Sequence, residues 1–309
     1  MVVYAIRTNK AILALALKFV FPGVHLRYPR FMQNLRPSET ALKVAYGLLS
    51  LSAKTDWKYQ LPPELPDLVE TLIVEAKAFG YNKRVVGLSR RSWLVGFYEQ
   101  FEKVMPGIFE GIGERKLFMD WAVKTAIDEG AMQVLIVGAG FDTLCLRYAS
   151  NYPEVQFVEV DHPATGIAKE RGVRKIGQPG NFTLLQADLG STSLSNLLGE
   201  CPDWQIDVAS VAVAEGLLYY LERSSVQELF DHLSASMGPG SKVAFSYMQN
   251  HRRHGWALGM LNALREPWLS SSPIEKLSEY VGSQWQVPTP ANSTDYRSGL
   301  EEFAVVKIE

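Results

Sequence analysis

The chain has 309 residues, enough for one α/β core of roughly 200 residues with a sizeable addition. Its hydrophobic content of 47%, charged content of 21% and formal net charge of -2 are those of a globular protein and give no sign of a nucleic-acid partner. The two cysteines, Cys145 and Cys201, lack redox or metal-binding spacing, so we expect no disulfide framework, no metal site and a reducing, cytoplasmic location.

The basic part of the chain is its first 60 residues, which hold nine Lys or Arg and two acidic residues. Within them, 11–24 is apolar except for Lys18, but Pro22 and Gly23 interrupt this run short of the ~20 residues that a transmembrane helix needs. We therefore expect no transmembrane segment. The region is interpreted either as a basic layer docking on the acidic remainder of the chain, or as peripheral contact of residues 1–30 with an anionic membrane surface.

A helical period dominates the sequence before residue 130. It predicts one helix over 41–49 and a second from near Pro66 to a left-handed cap at Gly80. A third is predicted over 115–129. Its expected inward residues are Leu117, Phe118, Trp121, Ala122 and Ala126. The first part of the chain therefore reads as an all-helical region.

From residue 133 onward, short apolar runs alternate with polar segments compatible with helices. This pattern is typical of a mostly parallel sheet covered by helices on both faces. The predicted strands are 133–137, 155–160, 182–186, 207–213, 241–247, 284–287 and 302–308. A helix over 224–237 is expected to end at the Gly-Pro-Gly of 238–240. The fold class is therefore a doubly wound, Rossmann-like α/β sheet preceded by helices.

A glycine turn between the first predicted strand and the next helix is the strongest local motif. Gly138 permits a tight turn, and Gly140 lets a ligand approach the backbone. In the dinucleotide-binding fingerprint a third glycine follows three residues later, but Thr143 stands at that position. The motif therefore favours a nucleotide-like cofactor without a pyrophosphate over a nicotinamide cofactor. An ordinary strand-to-helix turn is the alternative if the motif is taken alone.

Acidic residues follow the next three predicted strands. Asp161 closes the second strand 21 residues after Gly140, the distance at which a carboxylate can bind ribose hydroxyls. Glu159 shares its face but lies deeper, Asp188 follows the third strand and Glu215 the fourth. Ligands of open α/β sheets bind at the carboxyl ends of the strands, so these side chains are expected to converge on one crevice.

In order and spacing, these motifs resemble the leucine carboxyl methyltransferase family, including bacterial members linked to polyketide and other natural-product acids. The matching segments are Gly138-Ala-Gly-Phe-Asp-Thr with Arg147, Glu159-Val-Asp161-His-Pro163 with Lys169, Ala187-Asp188-Leu189, and Ala214-Glu215-Gly-Leu-Leu-Tyr-Tyr220-Leu. The resemblance covers about residues 112–247. It implies a class I methyltransferase with an antiparallel C-terminal strand and S-adenosyl-L-methionine as its cofactor.

The resemblance also implies roles for individual residues and segments. An arginine on the helix before the first strand holds the cofactor's carboxylate, and the matching residue is Arg115. The other implied cofactor-binding residues are Gly138 and Gly140 beneath the cofactor, Asp161 at the ribose, Asp188 and Leu189 at the adenine, and Glu215 lining the site. Residues 1–112 correspond to a helical cover over the substrate, and 113–309 to the catalytic domain, with an insertion at about 250–282 on the substrate side.

The expected reaction is O-methylation of a small, partly apolar acid. A carboxylate is already anionic at neutral pH and needs no general base, and the sequence offers no clear base. Methylation of a hydroxyl or of a protein C-terminal carboxylate are alternatives, as is a non-catalytic nucleotide-binding protein. His162, Tyr219 and Tyr220 are the candidate catalytic residues, although His162 also suits helix capping and the tyrosines also suit core packing.

Substrate-side candidates are fewer. Arg90 and Arg91 lie in the expected helical cover, where an arginine fork could match a carboxylate, although a solvated basic turn is the preferred explanation for them. Trp268 follows Glu266-Pro267, a segment that resembles the substrate side of the same family. The expected partner is therefore a small-molecule acid, and the sequence does not distinguish a monomer from an oligomer.

Overall fold

A seven-stranded sheet with helices on both faces organises the protein. The structure is a computed structural model and describes residues 36–78, 80–104, 107, 109–248, 268–287 and 301–308. The predicted membrane-contacting segment 1–30 therefore lies outside the described residues, as does the part of the predicted insertion before Trp268.

The strands run in the order β3-β2-β1-β4-β5-β7-β6. Their bounds are β1 Gln133–Val137, β2 Gln156–Asp161, β3 Phe182–Gln186, β4 Ser210–Ala214, β5 Lys242–Met248, β6 Trp285–Gln286 and β7 Glu301–Ile308. Strands β1 to β5 pair in parallel, and β7 pairs antiparallel with both β5 and β6. The predicted mostly parallel sheet with an antiparallel C-terminal strand is confirmed.

Ten α-helices are described around this sheet. They are α1 Glu39–Ser52, α2 Leu65–Glu75, α3 Lys83–Leu88, α4 Ser92–Val104, α5 Glu110–Asp128, α6 Leu144–Ala149, α7 Pro163–Ile176, α8 Leu194–Gly199, α9 Arg223–Ser234 and α10 Leu277–Val281. In the part of the chain that the structure describes, no helix is both long and apolar enough to cross a bilayer. Helix α5 runs through the position at which the sequence places a boundary between cover and catalytic domain.

The hydrophobic core consists of two clusters, and the side chains of β1 point alternately into one and the other. Val134 and Ile136 pack in one cluster with α1, α2 and α5, whereas Leu135 and Val137 pack in the other with α8 and α9. Because successive side chains of a strand point to opposite faces, a strand buried on both faces is apolar at most of its positions. This explains why the strands appear in the sequence as continuous apolar runs.

The N-terminal helices pack directly onto the helices of the sheet. Gly172 of α7 lies so close to α2 that a Cβ placed on it would be 2.7 Å from Leu72 Cα. At the start of α1, Ser38 Oγ accepts a hydrogen bond from the Ala41 amide, and the Ser38 amide donates to Thr165 Oγ1 at 3.0 Å. These contacts hold α1 against α7, beside the carboxyl ends of the strands.

Three local predictions about the helices are wrong. Helix α2 ends at Glu75, and the first residue after it with a positive φ is Lys77, at 53°; Gly80 also has a positive φ, 88°, but lies five residues beyond the end of the helix. Trp121, predicted to face inward, is 44% exposed, whereas Met119 and Val123 of the same helix are buried. Helix α5 also begins five residues earlier than predicted, at Glu110.

Candidate functional site

A cavity of about 430 Å³ lies at the carboxyl ends of β1, β2 and β4. Its walls come from the β1–α6 loop (138–142), from Asp161, from 215–217 and from α1, which contributes Ala41 and Val44. The lining also includes Arg115, Lys116, Tyr219, Tyr220 and Leu269. The structure thus places one crevice where the sequence predicts it, and one of its walls is α1, which belongs to the region expected to cover the substrate.

The glycine turn is tightly enclosed. Gly138 and Gly140 have φ of 70° and 50°, and a Cβ on Gly140 would lie 3.1 Å from the Ala41 Cβ of α1. Backbone amides of this turn already donate to protein acceptors: Gly138 and Ala139 to Val160 O, Gly140 to Asp161 Oδ2, and Asp142 to Ala139 O. These amides are therefore not arranged to bind a phosphate group.

Asp161 joins the end of β2 to this turn. Its Oδ2 accepts the hydrogen bond from the Gly140 amide at 2.5 Å. Burial raises the pKa of this carboxyl above its ordinary value, although the Gly140 hydrogen bond opposes the shift. The neighbouring His162 is exposed and caps α7, because its Nδ1 accepts from the Ala164 amide at 3.3 Å. The structure therefore gives His162 a capping geometry outside the cavity lining.

Arg115 is buried between two carboxylates. Its Nε donates to Glu215 Oε1 at 2.9 Å, and its Nη1 donates to Glu301 Oε1 and Oε2 at 2.8 and 3.0 Å. Nη1 also lies 3.3 Å from the Tyr219 hydroxyl, which itself donates to Glu301 Oε1 at 2.6 Å. Burial alone would lower the pKa of the guanidinium, but the adjacent carboxylates outweigh it and raise the pKa.

Lys116 links the loops that follow β1 and β4. Its Nζ donates to Glu215 Oε2 at 2.8 Å and also contacts Asp142 Oδ2. Burial raises the pKa of the Asp142 carboxyl, but the Lys116 ammonium outweighs it and holds this pKa well below its usual range. Asp142 Oδ1 accepts from the Leu144 amide at 2.5 Å and so also supports the start of α6.

Glu159 lies below the cavity rather than in its wall. Its carboxylate is fully buried, and Oε2 is 2.5 Å from the equally buried Lys169 Nζ. Burial raises the Glu159 pKa to about 7, against the opposing effect of Lys169. Of the two acids at the end of β2, the one that reaches the cavity is therefore Asp161.

The remaining sequence candidates divide between the cavity and the surface. Tyr219 contacts Tyr220, with ring centroids 4.7 Å apart, and Trp268 meets Tyr219 edge to face at 5.6 Å. Asp188 is exposed and accepts from the Gly190 amide, and neither it nor Leu189 lines the cavity. Arg90 and Arg91 are exposed surface residues, and Arg90 pairs with Asp67 and Glu70.

Sequence reasoning missed Lys116 and Glu301 as members of the site. Lys116 follows Arg115 directly, so a pair of adjacent cations was visible, but its partners are 26 and 99 residues away. Glu301 is 186 residues from Arg115, and no sequence pattern connects them. Within the described residues, no group of three or more His, Cys, Asp or Glu is arranged to hold a metal ion.

Comparison with known proteins decides the family. The sequence profile of the leucine carboxyl methyltransferase family matches residues 63–234, more than half of the chain. The chain belongs to this family. YktD of Bacillus subtilis, provisionally named an S-adenosyl-L-methionine-dependent methyltransferase, is 33% identical over 121 residues, 38% of this chain and 39% of that protein.

A provisionally named S-adenosyl-L-methionine-dependent methyltransferase of Mycolicibacterium vanbaalenii is 25% identical over 208 residues, 67% of this chain. The chain thus spans 39% of the length of YktD and 65% of the length of the Mycolicibacterium protein.

Among solved structures, a DUF574 family protein of Streptomyces avermitilis matches with a TM-score of 0.55 and 14% identity, over 78% of this chain and 96% of that one. A provisionally named methyltransferase of Thermobifida fusca matches with a TM-score of 0.54 and 15% identity, over 79% and 98%. Both likenesses confirm the class I methyltransferase fold.

Proposed function

We propose that the protein is an S-adenosyl-L-methionine-dependent O-methyltransferase that methylates the carboxylate of a small, partly apolar acid. The observation that carries the proposal is the meeting of Arg115, Asp161 and the Gly138–Gly140 turn in one cavity at the strand ends. In this assignment Arg115 holds the cofactor's carboxylate, Asp161 its ribose, and Glu215 lines the site. Asp188 and Leu189, which follow β3 outside the described cavity lining, are assigned to the adenine by the family resemblance, and the described helices before residue 112 are assigned to the cover over the acceptor.

The cavity fits a cation better than a pyrophosphate. Among the described lining residues, the charged ones are three carboxylates and two cations: Asp142, Asp161, Glu215, Arg115 and Lys116. An excess of carboxylates favours a sulfonium and repels phosphates. The amides of the glycine turn, which in dinucleotide-binding folds receive the pyrophosphate, here donate to protein acceptors. Both features support this cofactor over a nicotinamide dinucleotide, and the names of the relatives agree.

Acidic and hydroxyl groups of the cavity lining are already bound to other protein side chains, and this supports a carboxylate acceptor. Asp142 and Glu215 are bound to Lys116 and Arg115, and the Tyr219 hydroxyl donates to Glu301. None of these described groups is placed to take a proton from a hydroxyl, whereas a carboxylate has no proton to lose.

When bound, the cofactor supplies an electrophilic methyl group. The protein's own residues then have to align the acceptor and exclude water. Tyr219, Tyr220 and Trp268 form an aromatic cluster, and Leu269 lies beside it in the cavity wall. Such a wall suits an acid with an apolar body.

Calorimetric titration with S-adenosyl-L-methionine and S-adenosyl-L-homocysteine, followed by a labelled-methyl assay, tests the proposal. The assay compares a panel of small aromatic and aliphatic acids with their alcohol counterparts. We expect micromolar binding, transfer to acids, and a rate that is flat from about pH 6 to 9, because the nucleophile is already ionised. Transfer to alcohols alone would contradict the carboxylate assignment. Binding without transfer to any acceptor would favour a non-catalytic nucleotide-binding protein.

A further inference from the structure

Strand β7 meets helix α5 at two points. Glu301 and Phe303 are two residues apart on β7 and so share a face of the strand, while Arg115 and Phe118 are three apart on α5 and share a face of the helix. Glu301 receives both of its Arg115 hydrogen bonds from Nη1, and the rings of Phe303 and Phe118 stack with centroids 5.2 Å apart. The aromatic stack fixes the register in which the carboxylate meets the guanidinium.

We propose that Glu301 is a positioning residue that orients Arg115 for the carboxylate of the cofactor. This inference rests on the function proposed above. Glu301 does not line the cavity, whereas Arg115, Glu215 and Tyr219 do. With Nε held by Glu215 and Nη1 by Glu301, the planar fork has one orientation, and its Nη2 takes part in none of the hydrogen bonds among the described residues. Nη2 is the donor left for a ligand.

The surrounding atoms leave this arrangement little freedom. Gly216 has φ 64°, and a Cβ on it would lie 3.2 Å from Arg115 Nη1 and 3.3 Å from the Tyr219 hydroxyl. The Gly216 amide is in turn held by Ser246 Oγ of β5 at 2.9 Å. Since Tyr219 donates to Glu301 as well, one carboxylate from β7 orders both a cation and an aromatic wall of the cavity.

A purely structural role, in which Glu301 only anchors β7, makes a different prediction. Loss of an anchor would disturb the whole cavity and weaken every ligand. Loss of a positioning residue for Arg115 would weaken only ligands that carry the carboxylate. S-adenosyl-L-homocysteine and 5′-methylthioadenosine share the adenosine and the sulfur, but the second lacks the amino-acid carboxylate. The pair therefore separates the two roles.

The experiment is calorimetric titration of both ligands, direct or competitive, into the wild type, Glu301→Gln and Glu302→Gln. Glu302→Gln makes the same charge change at the next position of β7, which faces the other side of the sheet. We expect Glu301→Gln to weaken S-adenosyl-L-homocysteine about tenfold and 5′-methylthioadenosine less than about twofold. Glu302→Gln should leave both affinities within about twofold of the wild type.

A second arm places Glu301→Gln in an Arg115→Ala background, where the effect on S-adenosyl-L-homocysteine should disappear because the residue through which Glu301 acts is gone. Equal weakening of both ligands by Glu301→Gln, or an undiminished effect without Arg115, would overturn the inference while leaving the proposed function intact. A wild-type protein that binds neither ligand would overturn the proposed function itself, and the inference with it.

Discussion

Asp161 and Arg115 are proposed to bind the same ligand, but the protein stabilises their charges differently. Burial raises the Asp161 pKa, so its charge is unfavourable in the folded protein without a ligand, whereas Arg115 is the shared cation of two buried carboxylates. A residue held in an unfavourable charged state is expected where ligand binding compensates for it.

Asp161→Asn and Arg115→Ala should each weaken S-adenosyl-L-homocysteine binding by about 1.5 to 3 kcal/mol, the range for hydrogen bonds to charged groups. Their effects on stability should differ. Arg115→Ala removes the guanidinium that pairs with both Glu215 and Glu301, of which Glu215 keeps Lys116, and should lower the free energy of unfolding by about 3 to 5 kcal/mol. Asp161→Asn should leave the free energy of unfolding unchanged or raised. Titration and urea unfolding measure both quantities, and unchanged affinity in two folded variants contradicts the site assignment.

The Glu159–Lys169 pair predicts a pH dependence of stability. Burial raises the Glu159 pKa from 4.5 to about 7, so between these values the folded protein keeps a proton that the unfolded chain has released. The contribution of this group to stability is therefore largest below pH 4.5 and is lost as the pH rises to 7, by up to about 3 kcal/mol.

Urea unfolding of the wild type and of the double variant Glu159→Gln/Lys169→Met between pH 4.5 and 7.5 measures the contribution of Glu159 protonation to the free energy of unfolding. The stability of the wild type relative to the double variant should fall as the pH rises. A difference that is constant, or that grows with pH, shows that Glu159 is ionised throughout.

The sequence predicted which residues line the cavity where their position depends on local spacing, and their binding roles stay predictions. Asp161 follows an apolar strand and Gly140 precedes it by a fixed interval, so both were found. Glu301 was not found, because its role depends on β7 lying beside α5, which is a property of the tertiary structure. Asp188 matches the family's motif, yet in this structure its side chain caps its own loop.

At the scale of elements, the close contact of α2 with α7 joins the N-terminal helices to the sheet. Gly172→Ala places a methyl group 2.7 Å from Leu72 Cα, which is backbone and cannot move aside. We expect a loss of about 1 to 3 kcal/mol in the free energy of unfolding.

The matched control for this change is Gly96→Ala in α4, where an added Cβ meets no atom within 4 Å. This substitution should stabilise the protein by up to about 1 kcal/mol, because alanine favours a helix more than glycine does. Thermal or urea unfolding compares the two variants. Similar effects of both substitutions would mean that the α2–α7 contact is looser than the structure shows.

Strands were predicted better than helix ends. Strands β1 and β3 have the predicted bounds. For β1 the reason is that a strand buried on both faces is a nearly continuous apolar run, whereas β3 lies at the edge of the sheet and is fully buried only at Phe182. Helix α2 ends earlier than expected because Lys77 adopts the left-handed conformation for which Gly80 was the obvious candidate. Trp121 was misassigned because its helix packs through Met119 and Val123, and an exposed tryptophan cannot be told from a buried one by periodicity.

At the scale of the whole molecule, the cavity joins parts of the chain that are distant in sequence, from α1 to the loop after β4. A ligand that binds only the folded state should stabilise all of them together. At a hundred times its dissociation constant, S-adenosyl-L-homocysteine should raise the free energy of unfolding by about 2.7 kcal/mol. Thermal unfolding in the presence of NAD at the same concentration should show no shift, and an equal shift would contradict the cofactor assignment.

The position of β7 has a consequence for synthesis. In the sheet β7 lies between β5 and β6, but in the chain it follows both of them. A nascent polypeptide that has reached residue 287 therefore contains the residues of β5 and β6 but not yet those of β7, the strand with which both of them pair. Until the ribosome adds residues 301–308, the apolar edge at Val243 and Phe245 is open to other chains. Chaperone binding to stalled nascent chains should therefore be strongest over this interval and should cease once the last strand has emerged.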